Sequence, residues 1–201
     1  MRRLNIISVA ITLLLLLEVA SACAQPFSQR FAKGQSTFGL QAGFGFTVDI
    51  PPGRDRTDLS FLFFFPNYQY NLTGLIGKSW YQGAWNWHVE AGIAEVLNRG
   101  GEYLLGFSPL MAEYQFLNPK RRWAPKILLG AGFAMTNWKD VAERELGSEF
   151  QFLLHAGAGV EVFKSKGSYS FNYRFFHLSN SGIQDPNIGL NAHVLNFGIE
   201  F

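Results

Sequence analysis

From Phe38 to Ile50 the chain alternates without a break. Phe38, Leu40, Ala42, Phe44, Phe46, Val48 and Ile50 are apolar, and Gly39, Gln41, Gly43, Gly45, Thr47 and Asp49 between them are small or polar. A period of two sends the two sets to opposite faces of a β-strand. The pattern recurs in 85–93, where Trp85, Trp87, Val89, Ala91 and Ile93 alternate with Asn86, His88, Glu90 and Gly92. It returns in 127–135, 151–162, 168–175 and 192–201. Two further segments are less regular. Leu59 to Leu72 holds the run Phe61-Leu62-Phe63-Phe64-Phe65 followed by Pro66, which predicts a bulge or bend. Leu104 to Phe116 contains Pro109 and shifts parity near Ala112. Eight strands result.

Alternation alone does not say which face points inward. A soluble, lipocalin-like barrel turns its large apolar side chains inside. A membrane barrel turns them to lipid and fills a narrow interior with small and polar residues. The N-terminus favours the second reading. Arg2 and Arg3 precede an apolar run from Ile6 to Leu17, and Ala20-Ser21-Ala22-Cys23-Ala24 offers small residues for cleavage. That is the layout of a secretory signal peptide, and the run is shorter than the roughly 20 residues of a membrane helix. Cleavage after Ala24 removes the only cysteine; the alternative is lipidation of Cys23, with Ala20 where a lipobox usually has Leu. Either way no disulfide framework is available. Charged residues make up only 16% of the chain and Phe alone numbers 20, so a secreted protein of this kind needs some way to bury its apolar groups, and lipid is one solution.

The sequence therefore predicts an all-β fold, an eight-stranded antiparallel transmembrane β-barrel of the bacterial outer membrane. Residues 1–24 form the signal peptide, 25–36 a periplasmic segment and 37–201 the barrel. With both termini in the periplasm, outer loops fall near 51–58, 97–103, 138–149 and 179–190, and inner turns near 73–84, 117–124 and 164–167. Trp80, Trp85, Trp123 and Trp138 lie near strand ends, as an aromatic girdle requires. The terminal Phe201 resembles the signal by which the barrel assembly machinery recognises its clients. A net charge of +2 gives no basic footprint for nucleic acid. Eight strands leave room only for side chains, which disfavours a transport pore. A monomer or a homodimer fits equally well.

Parity also sorts the polar residues. His177 and Ser179 continue the outward series Tyr169, Phe171, Tyr173 and Phe175, and Asn191 shares parity with His193, Leu195 and Phe197 on the last strand. All three therefore meet on the outer wall. Residues i and i+2 lie about 7 Å apart along a strand, a gap that a histidine can lean across to take a serine proton. Loop-edge polar residues are the bland alternative. His88, Glu90, His155 and Glu161 point inward, where a polar network filling the barrel is the default and a metal or proton site the rarer case. Lys120-Arg121-Arg122 lies on an inner turn and reads as solvated.

The stretch from Phe175 to Asn191 resembles the signature of the lipid A 3-O-deacylase (PagL-like) family. The matching residues are His177, Ser179, Asn180 and Gly182, then Pro186-Asn187, and Gly189 before Asn191. The resemblance implies an outer-membrane serine esterase acting on lipid A of lipopolysaccharide, with no metal or cofactor. Ser179 would be the nucleophile and His177 the general base. Asn180 and the backbone N–H of Gly182 would form the oxyanion hole. Asn191 stands where the best-known members have a glutamate. An amide oxygen can still orient a histidine, but it lacks the full charge that stabilises an imidazolium. Asp185 in the loop is the alternative partner. Arg54, Asp55, Arg56 and Asp58 fall in an outer loop and could touch lipopolysaccharide phosphates. The competing reading is a non-catalytic slim barrel, structural or adhesive, whose outer loops do the work.

Overall fold

The computed structural model describes residues 31–52, 57–118, 120–138 and 145–201. The signal peptide, Cys23 and positions 54–56 lie outside the described residues. Eight strands form one closed antiparallel barrel in chain order, β8 returning to β1. They are β1 (Ser36–Val48), β2 (Ser60–Asn71), β3 (Gly83–Val96), β4 (Tyr103–Phe116), β5 (Trp123–Thr136), β6 (Phe150–Phe163), β7 (Ser168–Ser179) and β8 (Leu190–Glu200). Closure leaves no sheet edge, so each strand has a hydrogen-bonded neighbour on both sides, as crossing hydrocarbon requires.

Neighbouring positions settle which face is inside. Val194 is fully buried and the adjacent Leu195 is 48% exposed. The same inversion runs around the barrel, with Phe38, Phe44, Leu62, Ile93, Leu105, Leu129 and Phe171 on the outer surface. The outside is apolar, which fits lipid rather than water. Phe31 packs edge-on against Phe163 at the turn end of the barrel, with ring centroids 5.1 Å apart.

Two expectations change, and the parity shift expected near Ala112 falls a few residues earlier. Pro66 makes no bulge: β1 and β2 hold one register through Leu40↔Pro66. Its missing N–H falls where the β2–β3 ladder lapses between Phe64↔Ile93 and Asn67↔Glu90, and the register resumes unshifted. The irregularity sits instead at Pro109. Register shifts between Phe107 and Leu110 against β5, and between His88 and Glu90 on the facing β3. The indole N–H of Trp87 donates to the Pro109 carbonyl at 2.8 Å. This extra residue is what changes the parity of β4. Second, Trp138 is no girdle residue. It is completely buried and lies 5.5 Å from Phe61. Trp80, Trp85 and Trp123 do stay on the outer surface at the turn end.

The interior also differs from a simple filling of small and polar groups. On β2 the inward residues change from Phe61, Phe63 and Phe65 near the loops to Asn67, Gln69 and Asn71 near the turns. The loop half is a dry cluster that adds Leu104, Leu153, Phe176, Leu178, Leu190 and Val194. The turn half is polar and charged. Lys126 lies 3.1 Å from Glu113, 3.7 Å from Glu200 and 3.9 Å from Glu161. Arg174 grips both oxygens of Glu90 at 2.7 and 2.8 Å and also donates to Gln41 at 2.8 Å. Gln115 and Ser168 donate to Glu161. His155 bonds Ser108 at 2.7 Å, and His88 sits 3.6 Å from Glu90. The inward His and Glu residues thus serve a cross-barrel network.

Candidate active site

His177 and Ser179 occupy the loop end of β7, and Asn191, the second residue of β8, lies directly across from His177. Within β7 exposure alternates up to the strand's end, with Phe176 and Leu178 buried and His177 and Ser179 partly open on the outer wall. Buried Phe176 and Leu178 fix the register from inside, so His177 and Ser179 have no freedom to turn away from the bilayer side. Their partners on β6 are Leu154 and Phe152, both exposed apolar side chains.

The imidazole is held. His177 Nδ1 and Asn191 Oδ1 are 2.7 Å apart, while Asn191 Nδ2 donates to the Ile50 carbonyl at 2.6 Å. That second bond fixes which way the amide points, because only the nitrogen end can donate to a carbonyl. The oxygen end must therefore accept from His177, so in the neutral imidazole the proton sits on Nδ1 and Nε2 keeps the lone pair. Gly189 forms the floor under the ring. Its φ of +73° is a glycine conformation, and a Cβ there would come within 3.0 Å of His177 Cε1.

The loop after Ser179 is braced inside itself. Asn180 is fully buried. Its amide donates to the carbonyls of Leu146 at 2.7 Å and Gln184 at 2.5 Å, and its oxygen accepts from the Gly182 N–H at 2.8 Å. Asn187 accepts from the Asn180 N–H at 3.1 Å. Asn180 and Gly182 therefore lie beside Ser179 with their donors engaged in loop contacts. Asp185 is exposed, and the His177 Nδ1 position is already taken by Asn191.

The sequence reading missed Glu145. This buried residue links three loops. Its carboxylate accepts from the Thr57 N–H at 2.6 Å and from the Thr57 hydroxyl. Its carbonyl accepts from Ile188 and Gly189 at 2.8 and 3.3 Å. Next to it, Gly147 is so close to the carbonyls of Gln184 and Pro186 that a side chain would collide with both. Nothing in the linear spacing joins 57, 145 and 189, because the contacts depend on how the barrel gathers its loops.

A family model described as lipid A 3-O-deacylase (PagL) matches residues 56–200. The lipid A deacylase PagL of Pseudomonas aeruginosa is 30% identical over 138 residues, 66% of this chain and 76% of that protein. Its counterpart in Bordetella bronchiseptica is 33% identical over 87 residues, 41% of this chain and 47% of that protein. The crystal structure of the outer membrane enzyme PagL aligns with a TM-score of 0.58 at 22% identity, covering 81% of this chain and 98% of that one. Neisserial surface protein A aligns at 0.57 with 10% identity, over 82% and 95%. The two structural likenesses concern the barrel alone; the family match runs from the first outer loop through the hairpin that holds His177, Ser179 and Asn191. The chain belongs to the lipid A 3-O-deacylase (PagL) family of outer-membrane β-barrels.

Proposed function

We propose that this barrel is a serine esterase that removes the 3-O-linked acyl chain of lipid A. The observation that supports the reading best is the 2.7 Å contact between His177 Nδ1 and Asn191 Oδ1, with the amide oriented by the Ile50 carbonyl. It gives the imidazole the tautomer that a general base needs.

In this mechanism Ser179 Oγ attacks the ester carbonyl as His177 Nε2 takes the hydroxyl proton. The tetrahedral intermediate collapses by breaking the bond to the sugar oxygen, which receives that proton from His177. Water then attacks the acyl-serine with His177 again as base, and the fatty acid leaves. Asn180 and the Gly182 N–H are the oxyanion donors of this proposal, and each would have to release a loop partner to serve: Asn180 the Leu146, Gln184 or Asn187 acceptors, and Gly182 the Asn180 side chain. An oxyanion next to Ser179 would compete with Asn180 Oδ1 for the Gly182 N–H, and one such donor is typically worth roughly 10²–10³ in rate. The outward site suits a substrate that is itself a membrane lipid. Its acyl chain would run down the wall beside Phe152 and Leu154, with the sugar at the loops. Termini on the periplasmic side complete this orientation.

The test is the mass spectrum of lipid A from Gram-negative cells expressing the chain or its Ser179→Ala form. Loss of one hydroxyacyl chain, abolished in the variant while the barrel stays heat-modifiable, is expected. Turnover in the variant should fall by a factor on the order of 10⁴–10⁶. Unaltered lipid A from a folded wild-type barrel would reject the esterase and favour the structural or adhesive reading. Asn191→Ala, which releases the imidazole, should slow turnover by about 10²-fold or more.

A further inference from the structure

The end of the barrel opposite Ser179 holds a second feature that the esterase reading does not use. A groove of about 580 Å³ lies between the turn before β3 and the β4–β5 turn. Trp80, Phe116, Trp123 and Pro125 form its apolar wall, and Lys120 and Arg121 its basic side. No carboxylate is among the lining residues.

The groove is built by local bonds. Asn118 accepts from the Lys120 N–H through its side chain at 3.0 Å and from the Arg121 N–H through its carbonyl at 2.9 Å. These two bonds fold the turn that presents both cations. The Arg121 guanidinium then stacks over the Trp123 ring at 5.0 Å. On the other side a 3-10 turn, Ser79–Tyr81, begins with Ser79 at φ +59° and lifts Trp80 to 80% exposure. The Tyr114 hydroxyl anchors that turn by donating to the Tyr81 carbonyl at 2.5 Å.

Charge around the rim points the same way. Among the described residues, the segments at this end are 31–35, 72–82, 117–118, 120–122 and 164–167. They carry Lys33, Lys78, Lys120 to Arg122, Lys164 and Lys166, and not one Asp or Glu. The loop end is mixed, with Asp49, Asp58, Glu102, Glu145, Glu149 and Asp185 among its residues. A basic rim below a lipid-facing apolar wall is complementary to a lipid with an anionic head, each such cation contributing about fivefold in affinity near a membrane surface.

We propose that this groove is a binding site for an anionic glycerophospholipid. The phosphate lies between Lys120 and Arg121, the glycerol edge packs on Trp80 and Trp123, and the acyl chains run up the apolar wall of β4 and β5. In a membrane whose outer leaflet supplies lipid A to Ser179, the bound lipid belongs to the other leaflet. The proposal stands whether or not the barrel is an esterase.

The experiment uses the full barrel released from nanodiscs that hold equal phosphatidylglycerol and phosphatidylcholine, with retained lipid counted by native mass spectrometry. The wild type is expected to keep phosphatidylglycerol selectively. The double variant Lys120→Gln with Arg121→Gln should lose that selectivity by about 20-fold, and Trp80→Ala should weaken retention as well. The control variant Lys164→Gln with Lys166→Gln removes the same charge outside the groove and should retain the lipid. Heat-modifiable mobility confirms that each variant has folded. Equal retention of both lipids by the wild type, or equal losses in the two double variants, would overturn the site.

Discussion

The two halves of the barrel interior solve one problem in opposite ways. Near the turns the lumen is filled by ions and amides, with Lys126 among three glutamates and Arg174 clasping Glu90. Near the loops it is filled by rings and branched chains, with Phe63 stacked on Phe65 at 5.1 Å and facing Phe176 at 5.7 Å. The polar half binds strands to one another across the lumen. The apolar half does that and also supports loops, since Leu59, Trp138 and Leu146 enter it from outside the strands. The candidate site sits over the apolar half. Over this plug the loop carbonyls and amides brace one another, as Asn180 and Glu145 do, and Gln151 on β6 also donates to the Leu146 carbonyl, at 3.2 Å.

Substitutions can break this contrast. The largest effect is expected from Lys126→Met, which leaves three buried carboxylates facing each other. Removing one partner of a buried ionic cluster costs about 3–5 kcal/mol. Urea unfolding followed by gel mobility should show it, while the turnover of barrel that remains folded stays at the wild-type level. A variant as stable as the wild type would show that the polar half is a passive filling.

Phe176→Ala should cost about 3 kcal/mol or more through the cavity it opens, and here turnover should fall too, because Phe176 seats His177 from inside. Stability lost with turnover unchanged would separate the plug from the site.

Smaller still is Glu145→Ala, which orphans the buried Thr57 N–H at about 1–3 kcal/mol. It loosens the Gly189 floor and should lower kcat about tenfold with little change in KM. Glu145→Gln keeps an acceptor for Thr57 and should restore most of the rate. Equal losses in both variants would mean that the carboxylate charge, rather than the loop brace, is what counts.

Much of this was legible in the alternation. Faces of β1, β3, β5, β6, β7 and β8 follow from parity, and parity alone brought His177 and Asn191 to one face from 14 positions apart. It failed where residue type gives no parity. The run Phe61 to Phe65 is apolar on both faces, so its inward members looked no different from its outward ones, and the apolar plug went unseen. Pro66 and Pro109 look alike in sequence; only the partner strands decide that one falls at a gap in the ladder and the other at a bulge. Trp138 has the composition of a girdle residue and the location of a loop anchor. Glu145 has no signal at all, since its partners lie on loops that meet only when the barrel closes.

The Lys126 cluster has a consequence for how the protein is made. Its four members come from β4, β5, β6 and β8, and one carboxylate, Glu200, is supplied by the strand that closes the barrel. A nascent barrel with its final strand still undocked would hold Lys126 beside Glu113 and Glu161 but without Glu200, and Gln69 on β2 would lack its partner. Docking of β8 against β1 would therefore seal the wall and complete the ionic interior together, and a β8 docked out of register would take Glu200 away from both Lys126 and Gln69.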